Sequence, residues 1–350
     1  MKSKIIDEDV DELVSTLNHE LESLEGKNIF ITGGKGFMGS YIIDVLSQFN
    51  KTSRNPCNIT TFDKNPVVKH SRLDHLLDRP NITFLTGDVC KPFEVPKNTN
   101  IIIHAASKSS TSSFMKSPLE TADANVHGIR NLLDYARENL VDNFIFFSSS
   151  EVYGNPVKEF IPTPETYTGN VDPLSPYACY SESKRFSETL SSIFFREYGV
   201  PVKLLRILHC YGPGMKNDGK VVSDFYVSAK ENKEISLRDN GEAKRSLCYI
   251  KDSIDGVFRV MFYGKSGEAY NIANDKEIIS IRDLANKISK IVGNNSFVKP
   301  NFDIPADRGD GNPIRNLDIS KLKLLGFNPK ISLEDGLYRL KRHEEEVGYL

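Results

Sequence analysis

Residues 28–49 read NIFITGGKGFMGSYIIDVLSQF, an apolar strand from Asn28 to Thr32, a glycine-rich turn and a helical run from Tyr41 to Phe49. Gly33, Gly36 and Gly39 fall at GxxGxxG spacing, with Phe37 and Met38 inside the turn. Backbone amides and a helix N-terminus at that point cradle a pyrophosphate. The triplet alone is weak evidence, but the next apolar strand, Asn58 to Phe62, ends in Asp63. That is about two dozen residues past the last glycine, where a carboxylate accepts hydrogen bonds from the adenosine ribose. An acid there repels a 2′-phosphate, which favours NAD over NADP, although Lys64 follows it. The bland alternative for Asp63 is a turn residue at a strand end.

Outward from this unit the pattern repeats. A third strand, Ile82 to Thr86, ends in Gly87-Asp88-Val89, expected to wall the adenine. A fourth, Asn100 to His104, ends in HAAS, where Ala105, Ala106 and Ser107 let the chain pass close under a flat cofactor. Lys108 to Ser113 add further hydroxyls. His104 by itself reads more readily as a core histidine than as a catalyst. A helix around Asn125 to Leu133 and an apolar strand, Phe144 to Phe147, follow, then another strand from Val202. Alternating strands and helices over residues 28–205, with strands apolar on both faces, predict an α/β fold with a Rossmann-type doubly wound parallel sheet.

The flanks are less regular. Residues 1–26 carry Val10, Leu13, Leu17, Leu21 and Leu24 at helical spacing among acids, predicting an amphipathic surface helix without chemistry of its own. After RILHCYGPGM, shorter elements are expected: a helix near Ser223 to Lys230, a strand Ile235 to Leu237, a turn at Asp239 to Glu242, a strand at Tyr270 to Ile272 and a helix Ile281 to Val292 capped by Ser280. KRSLCYIKD, Lys244 to Asp252, leads back to the first lobe. The expected division is a helical extension over 1–26, an NAD-binding domain over 27–205 with strands near 248–274 returning to it, and a smaller lobe over 206–350. Residues 296–350 end in a helix of mixed charge.

Composition narrows the class. With 350 residues the chain is long enough for two lobes, and a net charge of −2 gives no basic excess for a nucleic-acid surface. The five cysteines are odd in number and never two residues apart, which argues against a disulfide framework or a zinc site, so no metal is expected. No apolar run approaches a membrane span, and the charged opening MKSKIIDEDVDEL is unlike a signal peptide; a cytoplasmic location is expected.

The chemistry concentrates between Ser148 and Lys184. SSSEVYG delivers three hydroxyls at the end of a buried strand, and YSESK puts Tyr180 one helical turn before Lys184 on a shared face. A nearby ammonium favours the phenolate, giving the base that alcohol oxidation needs.

TGGKGFMGS, Asp63, HAAS, the Tyr180–Lys184 pair and YGPGM, in this order, resemble the extended short-chain dehydrogenase/reductase family, the NAD-dependent epimerases and dehydratases of nucleotide sugars. The resemblance covers Lys27 to the C-terminus. Within it, ETYTGNVDPLSPYACYSESKRFSETL and GPGMKNDGKVVSDF look most like the UDP-glucuronate decarboxylases. The resemblance implies NAD, a nucleoside-diphosphate sugar held under the smaller C-terminal lobe, and a homodimer through helices near Asn125 to Glu138 and Tyr180 to Tyr198. It assigns Ser149 to the sugar hydroxyl being oxidised, Tyr180 to its proton, and Lys184 to the nicotinamide ribose. Ser150 and Glu151 separate the subfamilies. Dehydratases carry an Asp-Glu pair there, the acid protonating the departing 6-hydroxyl, whereas decarboxylases show Ser-Glu. Arg245 aligns with an arginine near the sugar carboxylate, although it would equally serve a diphosphate. Lys216, Val222 and Arg315 complete the expected substrate contacts. Four departures stand out: Tyr177 for an arginine, His209 for an asparagine, Ser149 for the commoner threonine, and KSSTSSF for an apolar loop. A 4,6-dehydratase or 4-epimerase is the alternative, and a non-catalytic NAD-binding scaffold the remote one.

Overall fold

The computed structural model describes residues 3–237, 239–293, 297–300 and 314–348, apart from the side chains of Ser113 and Pro300. The expectation for 296–350 therefore falls partly outside the described residues.

Seven parallel strands form the central sheet: β1 (Asn28–Thr32), β2 (Asn58–Asp63), β3 (Ile82–Thr86), β4 (Ile101–His104), β5 (Asn143–Phe147), β6 (Val202–Ile207) and β7 (Ala269–Ile272). Their order is β3-β2-β1-β4-β5-β6-β7, and every neighbouring pair is parallel. The expected doubly wound sheet is thus present. Because side chains alternate along a strand, one sheet feeds two cores. Ile29 and Ile31 enter the first with Ile101, Ile103 and Ile145. Phe30, Ile102, Phe144 and Phe146 enter the second. The near-continuous apolar runs in the sequence are the record of this two-sided burial. The direction of strand succession reverses between β1 and β4, which opens a crevice beyond their C-terminal ends.

Eight longer helices flank these strands: α1 (Lys4–Thr16), α2 (Phe37–Asn50), α3 (Pro118–Asn139), α4 (Ala178–Tyr198), α5 (Val221–Lys230), α6 (Ile250–Tyr263), α7 (Ile281–Val292) and α8 (Leu333–Val347). α3 starts with Pro118, whose missing N–H costs nothing there. α4 packs along α3 through small polar residues. Asn125 donates to Ser183 Oγ at 2.8 Å and its carbonyl accepts from Ser187, while Ser187 and Ser191 are fully buried. α7 has the Ser280 cap foreseen from sequence, its Oγ accepting from Asp283 N–H.

The N-terminal segment is more than a surface helix. Ile6, Val10 and Leu13 of α1 enter the first core, and Ser3 caps its start. Asp9 is fully buried and accepts from the Tyr249 hydroxyl at 2.7 Å and from Arg339 at 2.6 Å. Burial pushes its carboxyl up to about 6, against the pull of those partners.

The later chain contributes to both parts. β7 completes the large sheet beside β6, and α6 buries Ile254, Val257 and Phe258 in the first core. Short strands at 244–245, 279–280 and 314–315 form a separate three-stranded sheet, and 235–237 pairs with 298–300. Among the described residues, no helix is long and apolar enough to cross a membrane.

Candidate active site

The turn between β1 and α2 is built so that only glycine fits. Gly33 adopts φ +75°, and a Cβ on it would meet the Ala106 nitrogen at 2.6 Å. On Gly39 a Cβ would meet the Gly33 carbonyl oxygen at 2.4 Å. The β1 turn therefore lies against HAAS, with Ala105 N–H donating to the Thr32 carbonyl. Gly36 offers no side chain to cap α2, and the helix start is left to its backbone amides. This cradle suits a dinucleotide pyrophosphate.

Asp63 closes the same end. It accepts from the Lys35 amide at 3.1 Å and the Thr61 hydroxyl at 2.7 Å, while burial raises its pKa. The Gly34 amide also donates to it, and the carboxylate's remaining acceptor capacity can serve a ribose. Lys64 pairs with Asp88 at 3.3 Å. Val89 turns its side chain into the second core rather than outward. Ser107 donates to Asn125 at 2.8 Å, fixing the end of β4 to α3. His104 behaves as a core residue: its Nδ1 lies 2.6 Å from the Thr32 hydroxyl, and burial pushes it down to about 3, so it is neutral.

A cavity of about 820 Å³ continues from this cradle across the strand ends to the second part of the chain. Gly33, Gly36, Phe37, Met38, Gly39, Ala105, Ser107, Ser149, Ser150, Glu151, Tyr180, Lys184, His209, Val222, Arg245 and Arg315 all line it. Tyr177 and Lys216 do not. Tyr177 instead sits at the start of α4 with its ring edge-on to Phe114. Asp63, Lys64, Asp88 and Val89 also lie outside the lining, towards the β2 and β3 ends, as does Ala106 just past β4.

At the cavity's centre, one turn of α4 brings Lys184 Nζ to 5.9 Å from the Tyr180 ring centroid. Lys184 is only 2 % exposed and donates to the Phe147 carbonyl at 2.6 Å. Burial pushes its ammonium down to about 7, with Glu188 pulling weakly the other way. The three serines after β5 take separate parts. Ser148 donates to Glu188, which also holds Arg206. Ser149 accepts from the Glu151 amide at 3.2 Å, a bond that leaves its own hydrogen for another acceptor. Ser150 is 6 % exposed at the cavity wall.

Facing them are two guanidinium groups. Arg245 and Arg315 are direct partners on neighbouring parallel strands, so their side chains leave the same face. Arg315 lies 3.7 Å from Glu151 and donates to the Gly154 carbonyl. Guanidinium groups set side by side suit the planar oxygens of a carboxylate or a phosphate. His209 stands at φ +31° just past β6, and its carbonyl accepts from the Cys248 amide.

Among the lining residues that sequence reasoning passed over, Phe114 and Lys220 stand out. Phe114 stacks on Tyr180 with centroids 5.4 Å apart and an interplanar angle of 7°. Lys220, paired with Asp218 at 2.7 Å, immediately precedes α5. Phe114 lies in a one-turn helix at 111–116 and Lys220 in the loop before α5, both too short for periodicity to give a signal.

A model of the NAD dependent epimerase/dehydratase family matches residues 29–273. UDP-glucuronic acid decarboxylase 3 of Arabidopsis thaliana is 32% identical over 311 residues, covering 88% of this chain and 86% of that one. UDP-glucuronic acid decarboxylase 1 of Xenopus tropicalis is 32% identical over 319 residues, 91% of this chain and 72% of its own length. Among solved structures, the UDP-glucose 4-epimerase of Thermotoga maritima with UDP-glucose superposes with a TM-score of 0.78 and 28% identity, covering 91% of this chain and 99% of that one. The UDP-glucuronic acid 4-epimerase of Bacillus cereus shares the fold at 23% identity, a TM-score of 0.78, and 91% and 99% coverage.

Proposed function

The chain belongs to the NAD-dependent epimerase/dehydratase family, and from that premise we propose that it decarboxylates a nucleoside-diphosphate hexuronate, UDP-glucuronate first among them. NAD supplies the hydride acceptor for oxidation and the donor for the final reduction. Everything else is done by side chains of this chain. Ser149 donates to the sugar C4 oxygen and orients it. Tyr180 takes the C4 hydroxyl proton as general base, and the Lys184 ammonium favours its phenolate. The resulting 4-keto uronate is a β-keto acid. Its C5–carboxylate bond breaks, the electron pair passes into the C4 carbonyl, and carbon dioxide leaves. C5 then takes a proton from water, and reduction at C4, with Tyr180 returning its proton to the C4 oxygen, completes the cycle.

The observation that carries this reading is Ser150 beside Glu151, with Arg245 and Arg315 paired opposite. Ser150 supplies no acid to expel a 6-hydroxyl as water. The guanidinium pair matches a ligand carrying a carboxylate as well as a diphosphate. The named relatives, acting on UDP-glucuronic acid, agree with it. We further assign a cytoplasmic location and a homodimer built from α3 and α4, which expose Leu119 and Phe186.

The test is to incubate the purified protein with NAD and a panel of nucleotide sugars including UDP-glucuronate, and to follow product mass. Loss of carbon dioxide is expected. Loss of water would mean a dehydratase, and an isomer of unchanged mass an epimerase. Tyr180→Phe is expected to abolish turnover while NAD still binds, and undiminished turnover would remove Tyr180 from its role.

A further inference from the structure

His343, on α8, lies far from the chain's catalytic motifs in sequence, is 1 % exposed, and has both ring nitrogens engaged. Nε2 accepts from the Gly214 amide at 3.2 Å, and Nδ1 lies 2.7 Å from Ser3 Oγ. A backbone amide can only donate, so Nε2 carries the lone pair and the ring proton sits on Nδ1, directed at Ser3. Ser3 in turn caps α1, accepting from the Ile6 amide. One imidazole thus ties the first helix, the last helix and the YGPGM turn together. Burial, with Arg72 nearby, pushes it down to about 4, so it keeps its acceptor at neutral pH.

The turn it holds belongs to the cavity wall. Gly214 adopts φ +81°, and its neighbour Met215 is buried and lines the cavity, as do Tyr211, Gly219 and Lys220 on either side. Packing fixes the turn from behind as well, for a Cβ on Gly214 would stand 3.2 Å from Arg72 Nε. Without the imidazole, the Gly214 amide is a buried donor with no acceptor, and the turn shifts to hydrate it.

We propose that His343 is a positioning residue for the substrate half of the cavity, holding the Gly214 turn in register through the N-terminal helix. The hydrogen-bonded link stands on geometry alone; the identity of the ligand it serves rests on the nucleotide-sugar reading above.

Two substitutions separate the contacts. In His343→Gln the side-chain carbonyl reaches about as far as Nε2 and keeps an acceptor for Gly214. In His343→Asn it reaches only as far as Nδ1 and keeps the Ser3 side. Full-length wild type and both variants are titrated with UDP and with NAD by calorimetry, and amide exchange is followed over residues 211–220. The Gln variant is expected to bind UDP as the wild type does. The Asn variant should bind it about tenfold more weakly, the effect of one buried unsatisfied donor, with faster exchange at Gly214 and Met215. NAD affinity should be unchanged in both. Equal UDP affinity and equal exchange in the Asn variant would overturn the proposal, as would equal losses in both variants. If wild type binds NAD but not UDP, the nucleotide-sugar reading fails, and exchange at Gly214 still decides the link. Should the Asn variant not fold, His343→Leu, whose side chain accepts nothing from Gly214, is read the same way, with weaker UDP binding, faster exchange at Gly214 and unchanged NAD affinity.

Discussion

Lys184 holds its ammonium where water cannot solvate it, and that fixes a pH dependence. Burial lowers its pKa to about 7, so the cation is present below that value and lost as pH rises through it. The cation favours the Tyr180 phenolate, so kcat/KM, which reports the free enzyme, should fall on the alkaline side with an apparent pKa near 7. A profile flat to pH 9 would refute this assignment. Lys184→Met should lower turnover at least about a hundredfold below that pH, the usual contribution of a tuned acid–base group, and flatten the alkaline fall. Tyr180 and Lys184 were legible in the sequence because one helical turn is a local relation. Phe114, stacked on the same phenol, was not, because only the packing of the short helix at 111–116 onto α4 brings it there.

At the scale of elements, the β1–α2 turn shows why glycine spacing can be read directly. The approaches of Gly39 to Gly33 and of Gly33 to Ala106 are to backbone, which cannot move aside. Gly39→Ala should therefore cost about 1–3 kcal/mol of stability, the range for overpacking, and weaken NAD binding while UDP still binds. Calorimetry with each ligand checks both halves. The three-stranded sheet at 244–245, 279–280 and 314–315 is the opposite case. Its strands are two residues long and far apart in sequence. No period of two can emerge from such lengths, so the pairing of Arg245 with Arg315 was invisible to periodicity. Arg315 entered the sequence reading only through family resemblance. Likewise the acidic N-terminal segment showed its helical stripe, but not that Asp9 would be buried against Tyr249.

For the whole molecule, the doubly wound parallel sheet followed from alternating strands and helices, whereas its strand order and the cavity did not. Its far wall comes from residues 209–247 and 315, placed by tertiary packing after β6. The proposed dimer belongs to this scale. Phe186 is half exposed on α4 and Leu119 stands out at the start of α3. Phe186→Glu should convert the dimer to monomer by sedimentation, since a carboxylate desolvated in an apolar contact is costly. A dimer of unchanged strength would place the interface elsewhere.

The Ser3–His343–Gly214 link also bears on how the chain matures. Synthesis delivers α1 first and α8 last, and domains otherwise fold from the N-terminal end as they emerge. The Lys4 amide meets the Glu346 carboxylate at 2.8 Å, and Asp9 waits for Arg339. A nascent chain can lay down β1 to β5 long before these partners exist, leaving the α1 clasp open. The substrate wall therefore closes only once α8 has been made, so the half-made protein acquires a cofactor cradle before it acquires a place for a sugar.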